Sequence, residues 1–315
     1  MIKPKPRALI LREKKVQNKI LKLGIIANIN KSEIKDSVVE FVANNIDTYK
    51  FILSRYAYKF LEKPLKDKRL LKKIKSVNED NFRNKIDYLL SFGGDGTMLY
   101  SASVAVKADA PLIGVNFGKL GFLADVNYSE LNQLLSKLRK NDYKLDERIL
   151  LKGEISSPNK KKFFALNDIV IEKGGWSRII EINTWVNMKF LTTFRSDGLI
   201  ISTPTGSTAY SLSSGGPILL PDSNVIVLSP ICPHTLTVRP VVIPSDCEIL
   251  IEAKSSYKTV MINCDGQQVF KLRPPVKLKI SKAKESLKLI KKKNSDHFQT
   301  LREKLMWGMD VRENI

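Results

Sequence analysis

The chain has 315 residues, 43% of them apolar and 27% charged, with a net charge of +21. This length favours two domains, and the composition is that of an ordinary globular protein with enough apolar residues for a core. No apolar run approaches the roughly 20 residues of a transmembrane helix, and the three cysteines lack the CxxC spacing of a zinc site or an obvious disulfide framework.

The positive charge is concentrated towards the two ends of the chain. Residues 1–75 contain 20 Lys and Arg against 7 Asp and Glu, and residues 271–293 contain 10 Lys and Arg against one Glu. Residues 191–250 contain two Arg, four acidic residues and no Lys. Solvated lysine-rich faces explain this distribution as well as a nucleic-acid groove does, so we do not expect nucleic-acid binding. Attraction of anionic nucleotides is a milder alternative.

We predict that residues 1–22 form a basic tail. Prolines and charges interrupt Met1–Leu21, which lacks the apolar centre and the small-residue cleavage site of a signal peptide. With no membrane segment and a cysteine pattern that fits a reducing compartment, the sequence predicts a cytoplasmic protein that does not bind membranes.

Residues 23–145 predict an α/β nucleotide-binding domain with a parallel sheet, because apolar strand-like runs alternate with helical patterns. In chain order these are the strand Leu23–Asn28, the helix Glu33–Ala43, the strand Ile86–Phe92, a helix from Thr97 to Lys107, the strand Pro111–Val115 and the helix Tyr128–Lys140. Functional loops of such sheets follow the carboxyl ends of strands. The segments Gly93–Thr97 and Asn116–Asp125 lie at such ends.

The segment Gly93-Gly-Asp-Gly-Thr97 is the strongest single motif. Its three glycines permit positive φ and let a polyanion approach the backbone, and the helix that follows offers unpaired N–H groups. A phosphate cradle gains nothing from the negative side chain of Asp95, which therefore indicates proton transfer or metal binding. The alternative is a strand-to-helix turn with Asp95 as the N-cap.

Two common nucleotide motifs are absent. Gly114–Leu120 is one residue short of a P-loop and has Leu120 where Ser or Thr is required. The dinucleotide fingerprint fails because Leu99 occupies its third glycine position. For Asn116–Asp125, an ordered loop with apolar anchors is as good an interpretation as a functional loop.

Residues 146–293 predict a mostly β domain, and residues 294–315 predict a C-terminal helix that packs back on the first domain. Phe298, Leu301, Leu305 and Met306 share one face of that helix, over Asp296–Trp307. Turns separate the short strand-like runs. They are Ile149–Ile155, Phe163–Glu172, Ile179–Val186, Leu199–Ser202, Val225–Leu228, Glu248–Ile251, Val260–Asn263 and Val276–Ile280.

Polar residues interrupt this β pattern at three places. Asn167 and Asp168 form an amide–carboxylate pair that suits sugar hydroxyls and an adenine edge, and the alternative is a β-bulge or turn. The run Thr203–Ser213 is the densest hydroxyl cluster in the chain and suits ribose, phosphate and base, with the ring of Tyr210 available for stacking; the alternative is a surface turn. The segment Cys264–Gln267 predicts a hairpin turn.

A serine hydrolase is a poorer interpretation of the hydroxyl cluster. The sequence G-x-S-x-G is absent, and His234 and His297 are the only histidines. We interpret His234 as a residue that packs a loop.

Together these segments resemble the NAD kinase family over about residues 22–310, in the family's order. The Gly-Gly-Asp-Gly-Thr motif alone is shared with lipid kinases and resembles one in phosphofructokinases, whereas Thr203–Ser213 is far more specific. The matching segments are Gly93–Thr97, Asn116–Asp125, Leu166–Asp168, Arg195–Gly198, Thr203–Ser213, Gly215–Pro217, Pro233–Leu236, Arg239–Pro240 and Asp265–Gln267.

The resemblance implies an NAD kinase, which transfers the γ-phosphoryl group of ATP to the 2′-hydroxyl of the adenosine ribose of NAD and yields NADP and ADP. It implies a divalent cation such as Mg²⁺, and homodimers or homotetramers with sites near subunit contacts. A lipid kinase with the same first motif, or a non-catalytic nucleotide- or nucleic-acid-binding protein, is the alternative.

Carried over by position, Asp95 resembles the proton acceptor and Gly96 its neighbour at the phosphates. Asn167 and Asp168 resemble contacts to NAD, although the family often has Asn-Glu where this chain has Asn-Asp. No residue is singled out as a metal ligand. The remaining binding positions are Arg178, Arg195, Asp197, Thr208, Ala209, Tyr210, Ser211, Leu212, Ser213 and Gln267.

Overall fold

The structure is a computed structural model that describes residues 20–62, 68–118, 121–175 and 179–308. The first region, residues 22–138, alternates strands and helices. Its elements are β1 (Lys22–Ala27), α1 (Ser32–Asn45), β2 (Lys50–Ser54), α2 (Arg55–Glu62), α3 (Lys68–Lys73), β3 (Lys75–Val77), β4 (Tyr88–Phe92), α4 (Asp95–Ala108), β5 (Leu112–Asn116), β6 (Val126–Asn127) and α5 (Leu131–Leu138).

The second region, residues 144–291, is almost entirely β, and one helix follows it. Its strands are β7 (Lys144–Ser157), β8 (Lys161–Ala165), β9 (Asp168–Lys173), β10 (Ile180–Val186), β11 (Lys189–Ser196), β12 (Gly198–Ser202), β13 (Val225–Ile231), β14 (Val241–Pro244), β15 (Ile249–Lys254), β16 (Val260–Cys264), β17 (Gln268–Leu272) and β18 (Val276–Lys291). This region contains the single helical turn α6 (Tyr210–Ser213), and the C-terminal helix α7 (His297–Leu305) follows it.

The first region is the α/β unit that the sequence predicts. Strand β1 pairs in parallel with β2 and β4, and β4 pairs in parallel with β5. All five residues of β5 are buried, because helices cover both faces of a parallel sheet. The helix α1 buries Ile34, Val38, Phe41 and Val42 against this sheet, at the spacing of one helical face.

The second region is two sheets packed face to face. In the described residues the smaller sheet has the strand order β14-β13-β12-β9-β16-β17, and its paired neighbours are antiparallel. An apolar core joins this sheet to β7, β8, β10, β15 and β18 of the larger sheet. The prediction of an α/β fold with a largely β second part is confirmed.

The long strand β18 connects the two regions. It pairs with β15 and β7 of the second region and, through Leu289 opposite Leu112, in parallel with β5 of the first. The larger sheet therefore runs through both regions, in the order β11-β10-β15-β18-β5-β4-β1-β2-β3. The sequence pattern predicted only residues 276–280 of β18, because a break in its pairing with β7 between Lys282 and Ser286 interrupts the apolar alternation.

Two other element predictions were wrong in detail. The run Phe163–Glu172 is not one strand, because the chain turns at Leu166–Asn167 and passes from β8 in one sheet to β9 in the other. In α7 only Leu301 of the predicted apolar face is buried, and Phe298 is exposed. Met306 is also exposed, because it lies beyond the end of the helix and has a positive φ.

The C-terminal helix returns to the first region, as the sequence predicts. The Ser295 hydroxyl, just before α7, donates to the carboxylate of Asp125 at 2.8 Å, and the ring of His297 lies 6.2 Å from that of Phe122. Within the described ranges no helix is both long and apolar enough to cross a bilayer. The predicted division at residues 145 and 146 falls inside β7 and stays a prediction.

Candidate active site

The glycine-rich motif forms the turn between β4 and α4. Gly93 has a φ of +156°, and a Cβ there would lie 2.5 Å from the Thr97 hydroxyl, so only glycine fits. A Cβ on Gly94 or Gly96 would meet nothing within 4 Å, which leaves the backbone open to a ligand at the N-terminus of a 14-residue helix.

The carboxylate of Asp95 is exposed at this helix end. Helix α4 begins with Asp95 as its first residue and Gly94 as its N-cap, so Asp95 is not a capping residue. Its Oδ1 atom lies where a Cβ on Gly121 would come within 2.7 Å, so the carboxylate rests on the loop that follows β5. Among the residues that the structure describes, its side chain forms no hydrogen bond or ion pair. No described residue therefore competes with a ligand for this carboxylate.

That supporting loop is partly outside the described residues, which omit Lys119 and Leu120. Its later part closes on itself, since the Gly121 N–H donates to the Ala124 carbonyl at 3.0 Å. The side chain of Asn116 also donates to the Ala124 carbonyl, at 3.0 Å. The described parts of the Asn116–Asp125 motif, residues 116–118 and 121–125, are therefore ordered, and Gly121 lies beside Asp95.

A hairpin of the second region reaches the motif. Residues Asp265 and Gly266 have positive φ angles of 53° and 67°, typical of the tight turn between two antiparallel strands. This confirms the predicted turn. The Gln267 side chain donates from Nε2 to the Gly96 carbonyl at 3.0 Å. One of the predicted ligand-binding residues thus links the two regions at the motif.

The same turn holds the pair at 167 and 168. The Asp265 carboxylate accepts hydrogen bonds from the backbone N–H groups of three successive residues, Leu166 at 2.8 Å, Asn167 at 2.7 Å and Asp168 at 3.1 Å. Burial raises the pKa of the Asp265 carboxyl, and these three donors oppose that effect. The chain therefore turns at Leu166–Asn167, directly before Asp168, and a distant part of the chain fixes this turn.

Asp168 begins β9 and is only 5% exposed. Burial, followed by the neighbouring charge of Asp265, raises the pKa of Asp168 to about 7. A strongly shifted pKa of a buried carboxyl, caused by burial and one specific charged neighbour, is a feature that functional residues often share.

The hydroxyl-rich run packs against this turn. The Thr203 hydroxyl donates to the Leu166 carbonyl at 2.6 Å, and its N–H donates to the Asn167 carbonyl at 2.9 Å. A Cβ on Gly206 would lie 2.2 Å from that same Asn167 carbonyl oxygen. Close backbone approach therefore requires glycine at 206, and the start of the run lies directly against the predicted contact residues.

The hydroxyls of this run divide into two groups. Residues 203–207 are buried, so the alternative of a surface turn does not hold for this part of the run, and the buried Ser211 hydroxyl shares a hydrogen bond of 2.9 Å with Ser229. Residues 208–210, 212 and 213 are at least partly exposed, and Tyr210 is 43% exposed. The predicted contacts Thr208, Ala209, Tyr210, Leu212 and Ser213 thus remain accessible to a ligand, whereas the Ser211 hydroxyl serves the fold.

The accessible ring of Tyr210 lies among acidic groups. Burial is the largest of the causes that raise the pKa of Tyr210. The charges of nearby groups raise it further, and these groups are Glu172, Cys232, Asp197 and Asp168. Asp197 also pairs with Lys173 at 2.6 Å. The structure thus brings Asp197 to the side of Tyr210.

The two predicted arginines are less informative. The Arg195 guanidinium donates to Glu181 on the neighbouring strand β10 at 3.1 Å, and the side chain is 63% exposed. Arg178 lies outside the described residues.

A cavity of about 730 Å³ opens beside the motif. It lies where β1, β2 and α4 meet, and Asn28, Ser54, Tyr56, Gly96 and Thr97 contribute to its walls. Its position at the carboxyl ends of parallel strands is that expected for a ligand site in an open α/β sheet.

The chain matches two family models in sequence. The model of the ATP-NAD kinase N-terminal domain matches residues 23–143, and that of the ATP-NAD kinase C-terminal domain matches residues 166–292. An NAD kinase of Chlorobium phaeobacteroides is 38% identical over 300 residues, 94% of this chain and 100% of that protein. The chain belongs to the NAD kinase family. The lipid kinase and non-catalytic alternatives find no support here.

Further members of the NAD kinase family agree. An NAD kinase of Sulfurimonas denitrificans is 44% identical over 226 residues, covering 71% of this chain and 79% of that protein. The crystal structure of yeast NADH kinase complexed with NADH superposes with a TM-score of 0.84 at 25% identity, over 94% of this chain and 90% of that one.

The described residues contain no cluster of three or more His, Cys, Asp and Glu side chains suited to a metal ion. A single exposed carboxylate at an anion-binding helix end still fits Mg²⁺, which commonly takes one or two protein carboxylates and completes its shell with substrate phosphates and water. Asp95 is the residue placed to contribute such a ligand.

Proposed function

We propose that this chain is an NAD kinase that transfers the γ-phosphoryl group of ATP to the 2′-hydroxyl of the adenosine ribose of NAD. In this reaction the ribose oxygen forms a bond to the γ-phosphorus while the bond from that phosphorus to the β–γ bridging oxygen breaks. ADP and NADP are the products, so the enzyme serves NADP biosynthesis. The observation that carries the proposal is the hydrogen bond from Gln267 to Gly96, because it joins the Asp95 motif to the second region.

Asp95 accepts the proton of the 2′-hydroxyl in this proposal. Its carboxylate is exposed, makes no bond among the described residues and stands beside an open glycine backbone. Phosphoryl transfer depends mainly on alignment and on charge stabilisation, so a site that holds a base and backbone donors suffices. When bound, Mg²⁺ supplies neutralisation of the phosphate charge.

NAD lies along the contacts of the second region. Asn167 and Asp168 contact its ribose and adenine edges, and the ring of the partly exposed Tyr210 is available for stacking. The support is the chain of hydrogen bonds from Gly96 through Gln267 and Asp265 to the turn at 167, which brings these residues to the Asp95 side of the molecule. The remaining contacts in the proposal are Gly96, Arg178, Arg195, Asp197 and the residues from Thr208 to Ser213.

The cavity beside Gly96 holds the phosphoryl donor. Its volume suits a nucleotide, and it reaches the helix end where Gly96 and Thr97 present backbone N–H groups. A donor placed there has its terminal phosphate next to Asp95, while NAD approaches from the side of Gln267. The two substrates thus meet at one carboxylate.

We also propose that the protein is cytoplasmic and forms homodimers or homotetramers. Exposed apolar side chains favour an oligomer, since Met188 and Phe190 at the β10–β11 turn and Leu236 are 74%, 59% and 88% exposed. Light scattering of the purified protein tests this part, and a monomer at micromolar concentration would contradict it.

The decisive experiment incubates purified protein with NAD, ATP and Mg²⁺ and measures NADP. Reactions with polyphosphate in place of ATP and with NADH in place of NAD define donor and acceptor preference. Failure to form any phosphorylated dinucleotide with either donor would refute the proposed function.

A further inference from the structure

A buried charged cluster lies between the two regions, outside all of the residues discussed for substrate binding. Its centre is Arg148 of β7, whose side chain is 2% exposed. The guanidinium donates to both carboxylate oxygens of Asp146, at 2.9 and 2.8 Å. Lys291 at the end of β18 approaches the same carboxylate at 3.4 Å. Two buried cations thus share one partly buried carboxylate.

One arm of this cluster reaches the hydroxyl-rich run. The remaining terminal nitrogen of Arg148 donates to the hydroxyl of Thr205 at 3.1 Å. Thr205 is 7% exposed and immediately precedes the turn Gly206–Thr208, which leads into the proposed NAD contacts. The guanidinium therefore fixes the position where this segment leaves the core.

The other arm reaches the loop beside Asp95. Burial raises the pKa of the Asp125 carboxyl, and the positive charge of Lys291 is the main effect that opposes it. Asp125 ends the loop in which Gly121 supports the Asp95 carboxylate. One of its oxygens accepts from Ser295, while the other has no hydrogen-bond partner among the described residues.

Stability alone is a poor explanation for this arrangement. Burying several charges costs desolvation energy that their attraction often only balances, and apolar replacements of such groups are frequently as stable. A planar guanidinium with all three nitrogens engaged does, however, fix geometry, because each donor has one direction. The cluster thus specifies how the Thr205 segment sits relative to the loop that holds Asp95.

We propose that Arg148 is a positioning residue for the dinucleotide, acting through the Thr205 hydroxyl. It touches neither substrate, and it holds the start of the NAD-contacting segment in register with Asp95. This inference rests on the proposed function. It requires that loss of the Thr205 hydroxyl weakens NAD binding specifically, while the ATP cavity, built from the first region, is unaffected.

The test uses the full-length enzyme with Thr205→Val, which removes the hydroxyl at nearly constant volume. Removing one partner of a buried charged donor typically costs enough to change an equilibrium by about five- to fiftyfold, so we expect the KM for NAD to rise by about that factor. The KM for ATP should stay within about twofold of wild type. Thr205→Ser keeps the hydroxyl and should restore the KM for NAD.

Thr184→Val is the matched control. Thr184 is a fully buried threonine in β10 whose hydroxyl makes only a long contact, 3.4 Å to the Ile182 carbonyl. The control should leave both KM values unchanged. Melting temperatures of all variants separate loss of fold from loss of positioning, and if Thr205→Val does not fold, Thr205→Ala is compared with Thr205→Ser in its place.

Three results would overturn the inference. They are an unchanged KM for NAD in the valine variant, an equal rise of both KM values, and a serine variant as impaired as the valine one. A wild-type protein that makes no NADP would instead refute the proposed function, so the two failures are distinguishable.

Discussion

Asp95 carries the chemistry in the proposed reaction because its carboxylate is the one group at the motif suited to accept a proton. Asp95→Asn keeps the shape and removes the base. Proton transfer by a positioned side chain contributes about 10²- to 10⁴-fold, so we expect kcat to fall by that factor while both KM values change little. Steady-state kinetics with varied NAD and ATP measure this.

Helix α4 supplies the control for that variant. Asp109 lies just after the other end of the same helix, in the left-handed conformation that asparagine also tolerates, and pairs with Lys288 at 3.2 Å. Asp109→Asn should leave kcat within about twofold of wild type, because exposed ion pairs contribute little. An Asp95→Asn enzyme with near wild-type turnover would show that another group takes the proton.

Asp168 makes stability depend on pH. Its pKa in the folded chain is raised to about 7 by burial and by Asp265, so the folded state keeps a proton that the unfolded state has lost. Its contribution to stability is complete below the unfolded pKa, at about pH 4, and disappears as pH rises through about 7.

Asp168→Asn removes this effect. Relative to wild type, the variant should gain unfolding free energy on the order of 1–3 kcal/mol between pH 5 and pH 8, measured from urea midpoints at both values. The same wild-type-to-variant difference at both pH values would contradict the assigned shift. The residual pH dependence of the variant belongs to the remaining acids, Asp265 among them.

At the scale of elements, the hairpin β16–β17 contacts the start of α4 through one side chain. Gln267→Ala removes the hydrogen bond to the Gly96 carbonyl that holds the two regions together at the motif. A neutral hydrogen bond is worth about 1 kcal/mol, so kcat/KM for NAD should fall about three- to tenfold. Gln268→Ala is the control, since this neighbouring glutamine is also exposed and its side chain makes no hydrogen bond among the described residues. Equal effects of the two substitutions would refute the contact's role.

Local motifs explain why several residues that the structure brings together in the candidate site could be predicted from the sequence. Asp95, Asn167 and Gln267 each lie in a short polar interruption of apolar runs, and such interruptions mark turns at strand ends. Arg148 gives no such signal, because a charged residue in an alternating strand normally faces solvent. Its burial follows from the pairing of β7 with β18, which are far apart in sequence. The role of Gly121 is likewise not visible in the sequence, because it follows from the contact with the Asp95 carboxylate.

The elements were predictable to different degrees for the same reason. The alternating strands and helices of the first region have local periodicity, so their type was correct. The break between β8 and β9 at Asn167 was predicted only as an alternative to one continuous strand, since both flanking runs are apolar and each is buried in a different sheet. Periodicity reports burial and does not distinguish which sheet supplies it.

At the scale of the whole molecule, β18 makes the two regions one structure. Its first half belongs to the core between the two β sheets and its second half to the core under α4. A sheet that continues through both regions transmits strain between them, because interiors are close-packed. The distance between Asp95 and the proposed NAD contacts is therefore set by a strand and not by a flexible linker.

This continuity predicts cooperative unfolding. Leu289→Ala truncates a side chain that is 1% exposed where β18 meets β5, and it should lower the unfolding free energy by about 2–5 kcal/mol. All three tryptophans follow residue 175, so intrinsic fluorescence reports mainly on the second region, whereas far-UV circular dichroism reports on both. Because the regions share β18, the two signals should shift to the same lower denaturant midpoint.

Leu278→Ala, a substitution of a 2% exposed leucine in the other half of the same strand, should shift both midpoints in the same way. If Leu289→Ala instead left the fluorescence midpoint unchanged while the circular dichroism transition split in two, the regions would unfold separately, and a fixed geometry between Asp95 and the dinucleotide would need another origin.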